Sequence, residues 1–303
     1  MEVGLQFRPD PSPEEYGEVD PAKVATRTVE DLLDTGNAME RMSAAARLLQ
    51  VSPELLQQRI ENVPLRLRLH GHPRWVKEYP GAAKVALPAP APLTMTLGDA
   101  VARRRSRKLF ADAPITTMEL SQLLQNCYGL TDKAVLRTRE HPWHPYRAAP
   151  TSGGLSGTEL YVLALKVDGV APGLYHYDGL EHRLDTVFQG DAETQVTRCW
   201  LQPETLRNAA CFFLFTVDLR RGAWKYHARY LHTALLDTGG ILGYSMLAAT
   251  ALGLYGNPLT AFKSRPVEHL LKIDGVHEVP LVTAVFGRPG ESSFFFPNPE
   301  GAP

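Results

Sequence analysis

The chain has 303 residues, 44% hydrophobic and 21% charged, with 32 Lys and Arg against 33 Asp and Glu. It is long enough to bury a large core, and its formal net charge of −1 argues against a dedicated nucleic-acid binder, which would be basic overall. Cys127, Cys199 and Cys211 stand far apart with no CxxC, so no disulfide framework or zinc site is indicated, and they read as buried thiols of a cytoplasmic protein.

Taken in order, the acidic, proline-containing first twenty residues lack the apolar stretch of a signal peptide. Asp20-Pro21 and Ser52-Pro53 each place a capping residue before a proline, and AMERMSAAARLLQ between them is rich in helix formers. The spaced prolines of RWVKEYPGAAKVALPAPAPL predict an extended connector. The expected organisation is a helical N-terminal extension over 1–85 and a principal domain over 86–303.

Thr96 with Asp99 predicts a capped helix running into RRRSRKLF, which holds five cations in eight positions. Taken alone, that run reads as a solvated helix end, a nucleic-acid or targeting patch, or a site for a small anion. Thr116 and Glu119 predict a second capping box, followed by Leu120, Leu123, Leu124, Cys127 and Tyr128 at helical spacing. Residues 131–154 read as a long aromatic loop, in which His141 and His144 are loop histidines with no metal spacing. ELYVLALKV, GLYHYDG, CFFLFTVDL and PLVTAVFG predict strands. Residues 234–254 are apolar over the length of a membrane span, with Gly239 and Gly243 in GxxxG spacing. Asp237 lies inside that stretch and no second span exists, so it reads as a buried helix or a subunit interface. Helices bracketing strands without regular βα alternation indicate an α+β domain.

No Walker loop, GxGxxG, HExxH or GxSxG is present. The motifs YPGAAKVALP, RRRSRKLF, RAAPTSGGLSGTELYVLAL, VAPGLYHYDGLEHRL, KYHARY, GLYGNPLTAF and VFGRP follow one another over about residues 79–289. In that order the chain resembles the FMN-dependent nitroreductase superfamily, and within it the SagB-type dehydrogenases that oxidise azoline rings in ribosomally made peptides.

The resemblance implies a central, mostly antiparallel sheet flanked by helices, in a homodimer with two flavin sites at the interface. It implies that Arg104, Ser106 and Lys108 grip FMN, in keeping with the donor fork of Arg and the point charge of Lys. Arg103, Arg105 and Arg107 would lie on other faces. Arg147 and the loop residues Pro150, Ser152 and Gly153 would border the flavin. The backbone at Thr260 and Ala261 would face the reactive edge of the ring, and Arg288 would meet the phosphate. Lys225 and Tyr226 match a pair found in azoline dehydrogenases. Aromatising an azoline removes a hydride and a proton; FMN would take the hydride, and dioxygen would reoxidise the flavin. A base must take the proton, and a phenol, which ionises near pH 10, needs a nearby cation to do so. Adjacent residues of a regular helix do not face each other, which would leave one of the two in a supporting role. The implied partners are an azoline-containing peptide and a cyclodehydratase, with no metal, membrane or nucleic acid.

The chain departs from the family at Ser156-Gly157, where an aromatic and a proline are common, at Gly240, where histidine is frequent, and near Tyr244, where asparagine is. Two other readings remain: an NAD(P)H-dependent reductase of nitro or quinone compounds, and a flavin-free scaffold binding a peptide or partner enzyme.

Overall fold

The structure is a computed structural model, and it describes residues 75–135, 143–226 and 229–290. These belong to the compact unit Ser52–Pro303. The helices expected before residue 75, and His141, lie outside the described residues.

Strands β4 (Thr158–Ala164) and β7 (Cys211–Asp218) form the centre of the molecule. Both are buried on two faces, which is why their sequences read as continuous apolar runs rather than alternating ones. Around them lie β5 (Gly173–Asp178), β6 (Arg183–Gln189), β8 (Tyr255–Leu259), β9 (Glu278–Gly287) and the short β1 (Lys84–Ala86). The sheet order is β1-β6-β5-β4-β7-β9-β8, with every pairing antiparallel. This is the expected α+β architecture.

Side-chain alternation along the strands feeds two cores. Leu160 and Val162 of β4 and Phe213 and Phe215 of β7 point to one face. There they meet α2 (Thr117–Tyr128) through Leu120, Leu123 and Leu124, and α5 (Arg229–Ala251) through Ile241, Met246 and Ala249. Tyr161, Leu163, Phe212 and Leu214 point the other way. On that side lie α3 (Ala192–Cys199) and α6 (Ser264–Leu271), with Trp200 filling the space between helix and sheet. The remaining helices are α1 (Leu97–Arg103) and α4 (Arg220–Tyr226).

Both expected caps are present. Thr96 Oγ accepts from the Asp99 amide at 3.1 Å, and Thr116 with Glu119 forms a reciprocal capping box. All three cysteines are buried, and burial pushes the thiols up, Cys199 to about 11. Among the described residues no helix is long and apolar enough to cross a membrane.

The structure corrects the reading of residues 131–154 as a loop. Their first part and Trp143–Arg147 form a hairpin, β2 (Leu130–Val135) with β3, tied by Thr131 Oγ1 to the Tyr146 carbonyl at 3.1 Å. The β-branched and aromatic residues there favour strand pairing. Strand β8 was not among the strands read from the sequence, and its Gly256, Asn257 and Pro258 are residues depleted in strands. It is the last strand of the sheet, a position that tolerates proline.

Candidate active site

The antiparallel order brings several candidate residues to one end of the sheet. Thr158 at the start of β4 pairs with Val217 near the end of β7. Strand β8 runs parallel to β7 with β9 between them. The starts of β4 and the ends of β7 and β8 therefore share an end. The PTSGG turn precedes β4, α4 with Lys225 and Tyr226 follows β7, and Thr260 and Ala261, both exposed, follow β8.

The cationic motif lies beside the opposite end of β8. Helix α1 stops at Arg103, and the chain then runs extended along β8, with the Arg107 amide on the Gly256 carbonyl at 2.9 Å and Ser106 bridged in parallel to Gly256. In extended chain, alternate residues share a side, which groups Arg104, Ser106 and Lys108. Arg104 Nη1 lies 3.4 Å from Ser106 Oγ, and the Arg107 guanidinium lies over the Tyr255 ring instead. Among the described residues no carboxylate pairs with Arg104 or Lys108. Gly256 and Thr260 are four residues apart, about 13 Å along a strand.

At the other end, Gly153 adopts φ +60°, a left-handed conformation that favours glycine. A methyl group added to it would collide with the Tyr226 hydroxyl and lie 2.8 Å from Lys225 Nζ. Both side chains thus reach one spot, with the Lys225 ammonium 5.1 Å from the centroid of the Tyr226 ring. The expectation that helical register would separate them is overturned. Both sit in the last turn of α4, where the long lysine stem folds back alongside the phenol.

Two arginines assigned to the cofactor by resemblance are engaged by the protein. Arg147 donates from Nε to Ser156 Oγ, from Nη1 to the Tyr128 carbonyl and from Nη2 to the Trp75 carbonyl, all at 3.0–3.1 Å, and stacks over the Tyr128 ring. Arg288 makes a bidentate contact with Glu119, at 2.6 and 2.8 Å, tying the last strand to the capping box of α2. Pro150 is exposed at the turn.

Two residues given no site role in the sequence, Asp237 and Tyr230, complete the surroundings. Asp237 of α5 accepts from the Ser152 amide and hydroxyl, each at 2.8 Å. Burial raises its carboxyl even though the Ser152 donors draw it down. The Tyr230 ring lies parallel to Tyr226, at 11° with centroids 6.3 Å apart. It occupies space that Gly157 and Gly222 leave open, since a methyl on either would strike it. This explains the departure at Gly157: a proline there would displace Tyr230. The Tyr230 hydroxyl is buried with no hydrogen-bond partner among the described residues.

Behind α4 lies a buried ionic cluster. The Arg221 guanidinium binds the Glu159 carboxylate and, at 2.7 Å, the Ser156 carbonyl; His176 Nε2 meets the other Glu159 oxygen at 2.7 Å. Burial alone would raise the Glu159 carboxyl, but Arg221 and His176 more than reverse this and hold it at about 2. Lys77 joins from the N-terminal side, its amide on Glu159 and its ammonium on Glu278 at 2.8 Å.

An all-antiparallel sheet crossed by a long apolar helix, with polar groups at both ends of its last strand, defines a nitroreductase-like α+β protein. The chain belongs to the nitroreductase family, whose model matches residues 101–288, more than half of its length. A Methanocaldococcus jannaschii protein assigned as a nitroreductase is 26% identical over 192 residues, 63% of this chain and 90% of that protein. A solved nitroreductase-family structure from Anabaena variabilis is 23% identical with a TM-score of 0.61, covering 80% of this chain. The chain spans only 45% of that structure's length. The E. coli microcin synthetase McbBCD, in complex with truncated pro-MccB17, is 19% identical with a TM-score of 0.53, covering 90% of this chain and 99% of that one. These structural likenesses show the fold. Family membership makes the protein an oxidoreductase of the nitroreductase type.

Proposed function

We propose that the protein is an FMN-dependent dehydrogenase that oxidises azolines to azoles in a ribosomally made peptide. The observation that carries this reading is the convergence of Lys225 and Tyr226 on Gly153. A reductase of nitro or quinone compounds has no need of a lysine-assisted phenol; an azoline dehydrogenase needs a base for the ring proton. That the microcin synthetase structure holds a pro-peptide is in keeping with a peptide substrate and a cyclodehydratase partner.

The residues present fit FMN. Arg104, Ser106 and Lys108 form a donor set with no carboxylate partner among the described residues, suited to a phosphate and a polar ring edge. Ser152, Gly153, Thr260 and Ala261 would border the ring, while Arg147 and Arg288 hold the elements behind it. When bound, FMN supplies the acceptor for the hydride and returns the electrons to dioxygen. The chain's own part is the proton. Lys225 stabilises negative charge on the Tyr226 oxygen, and Tyr226 removes the ring proton as the hydride departs, so two hydrogens leave and the ring becomes aromatic.

The reading includes a homodimer. The outer face of α5 presents Leu235, Leu236, Gly239, Gly243 and Tyr244, and neighbouring α1 presents Leu97 and Val101; Leu97 is 71% and Leu236 66% exposed. Such an apolar face suits a subunit interface.

The test uses flavin-loaded protein and an azoline-containing peptide, with loss of two hydrogens per ring read by mass. Tyr226→Phe and Lys225→Ala should keep the flavin spectrum and lose about a hundredfold or more in rate. Wild-type rates in both variants would remove the pair from the active site, and rapid bleaching of the flavin by NADPH with no azole formed would replace this reading with the reductase. A colourless protein that binds no added FMN would leave the scaffold.

A further inference from the structure

Tyr230 and Asp237 are seven residues apart in α5, two helical turns, and so lie on one side of that helix. Each holds one half of the contact at Gly153. Tyr230 stacks on Tyr226, in space that Gly157 and Gly222 keep open. Asp237 takes both polar hydrogens of Ser152, the residue before Gly153. The turn and the catalytic helix α4 come from sequence stretches about seventy residues apart, and α5 is the element that touches both. The buried face of α5 is itself anchored to the sheet by Ile241, Met246 and Ala249.

We infer that α5 is the frame that sets Gly153 against the Lys225–Tyr226 pair, with Asp237 and Tyr230 as positioning residues. This deepens the dehydrogenase reading and rests on it. Among the described residues Asp237 makes no hydrogen bond or ion pair with Lys225 or Tyr226; it acts through Ser152 on the backbone of the turn. A carboxylate suits that task because its two oxygens engage the amide and the hydroxyl at once. Loss of both bonds lets the backbone at Gly153 leave its left-handed conformation. The contact between Gly153 and the phenol then loosens, and proton removal is sensitive to placement at the scale of 1 Å.

The test is kinetic, on the full chain loaded with FMN and given an azoline peptide. Asp237→Leu removes both acceptors and should lower kcat about tenfold or more, with flavin content and KM near wild type. Asp237→Asn keeps one acceptor oxygen and should restore most of the rate. Ser152→Ala, which leaves only the amide bond, should fall between them. In the double variant Asp237→Leu with Tyr226→Phe, the rate should match Tyr226→Phe alone, since the turn has no base left to position. A wild-type kcat in Asp237→Leu overturns the inference. So do fully additive losses in the double variant, or, should Asp237→Leu lose its flavin or fail to fold, a wild-type kcat in Ser152→Ala. No azole formed by the wild-type protein would overturn the dehydrogenase reading instead, and the two failures are therefore distinct.

Discussion

Glu159 carries a full charge at 2% exposure, a costly state unless its partners hold it. Arg221, His176 and the Lys77 amide do so. The folded carboxyl is held at about 2, below its ordinary 4.5, so its contribution is present above pH 4.5 and is lost as pH falls toward 2. The amount is on the order of 3 kcal/mol. Urea unfolding between pH 6 and pH 3 should show stability falling with acidity. Glu159→Gln should be less stable at neutral pH by about 3 kcal/mol, because Arg221 keeps its charge, and should lose that part of the acid dependence. A mutant with unchanged stability at pH 7 would remove the cluster from the account. None of this was legible in the sequence, where Glu159 opens an ordinary strand pattern and Arg221 is one of an adjacent pair of arginines after a different strand. The residue scale was read best where a motif is local, as at Thr116 and Glu119, and least at Arg147 and Arg288, whose protein contacts the sequence does not show. Their guanidiniums are engaged by partners brought in from elsewhere in the chain.

Helix α5 is the element on which most depends. Its composition is apolar nearly all round, so its periodicity predicted burial without naming a face. In the structure Tyr230, Ala234, Thr238, Ile241 and Ser245 are buried, while Leu235, Leu236 and Gly239 are exposed. A methyl added to Gly239 or Gly243 meets nothing within 4 Å, which leaves that flank open to close approach by another helix. Leu236→Asp should therefore shift the flavin-bound protein from dimer to monomer in sedimentation at micromolar concentration, and weaken flavin retention if the cofactor is shared between subunits. A wild-type protein sedimenting at 33.5 kDa would contradict the dimer. Strand β8 shows the converse limit. Its Gly, Asn and Pro are depleted in strands by propensity, and pairing with β9 overrides that.

Across the whole molecule, β8 connects two chemistries: the cationic segment beside Gly256 and the exposed backbone of Thr260 and Ala261 at its end. In the proposed reading the phosphate belongs at the Arg104 end. Arg104→Ala removes a charge-assisted contact worth about 1.5–3 kcal/mol, roughly tenfold or more in FMN affinity, to be measured by titrating flavin fluorescence. Unchanged affinity would move the phosphate elsewhere.

By itself the sequence determined the helix caps and the central strands, because each depends on neighbours within a few residues. It also carried the family, through the order of short motifs along the chain. Only the tertiary structure decided that Lys225 and Tyr226 converge on Gly153, and that Tyr230 fills the space left at Gly157. It alone joined Asp237 to Ser152, 85 positions away. Those facts depend on which distant segments the sheet and α5 bring together, and no local propensity encodes that meeting.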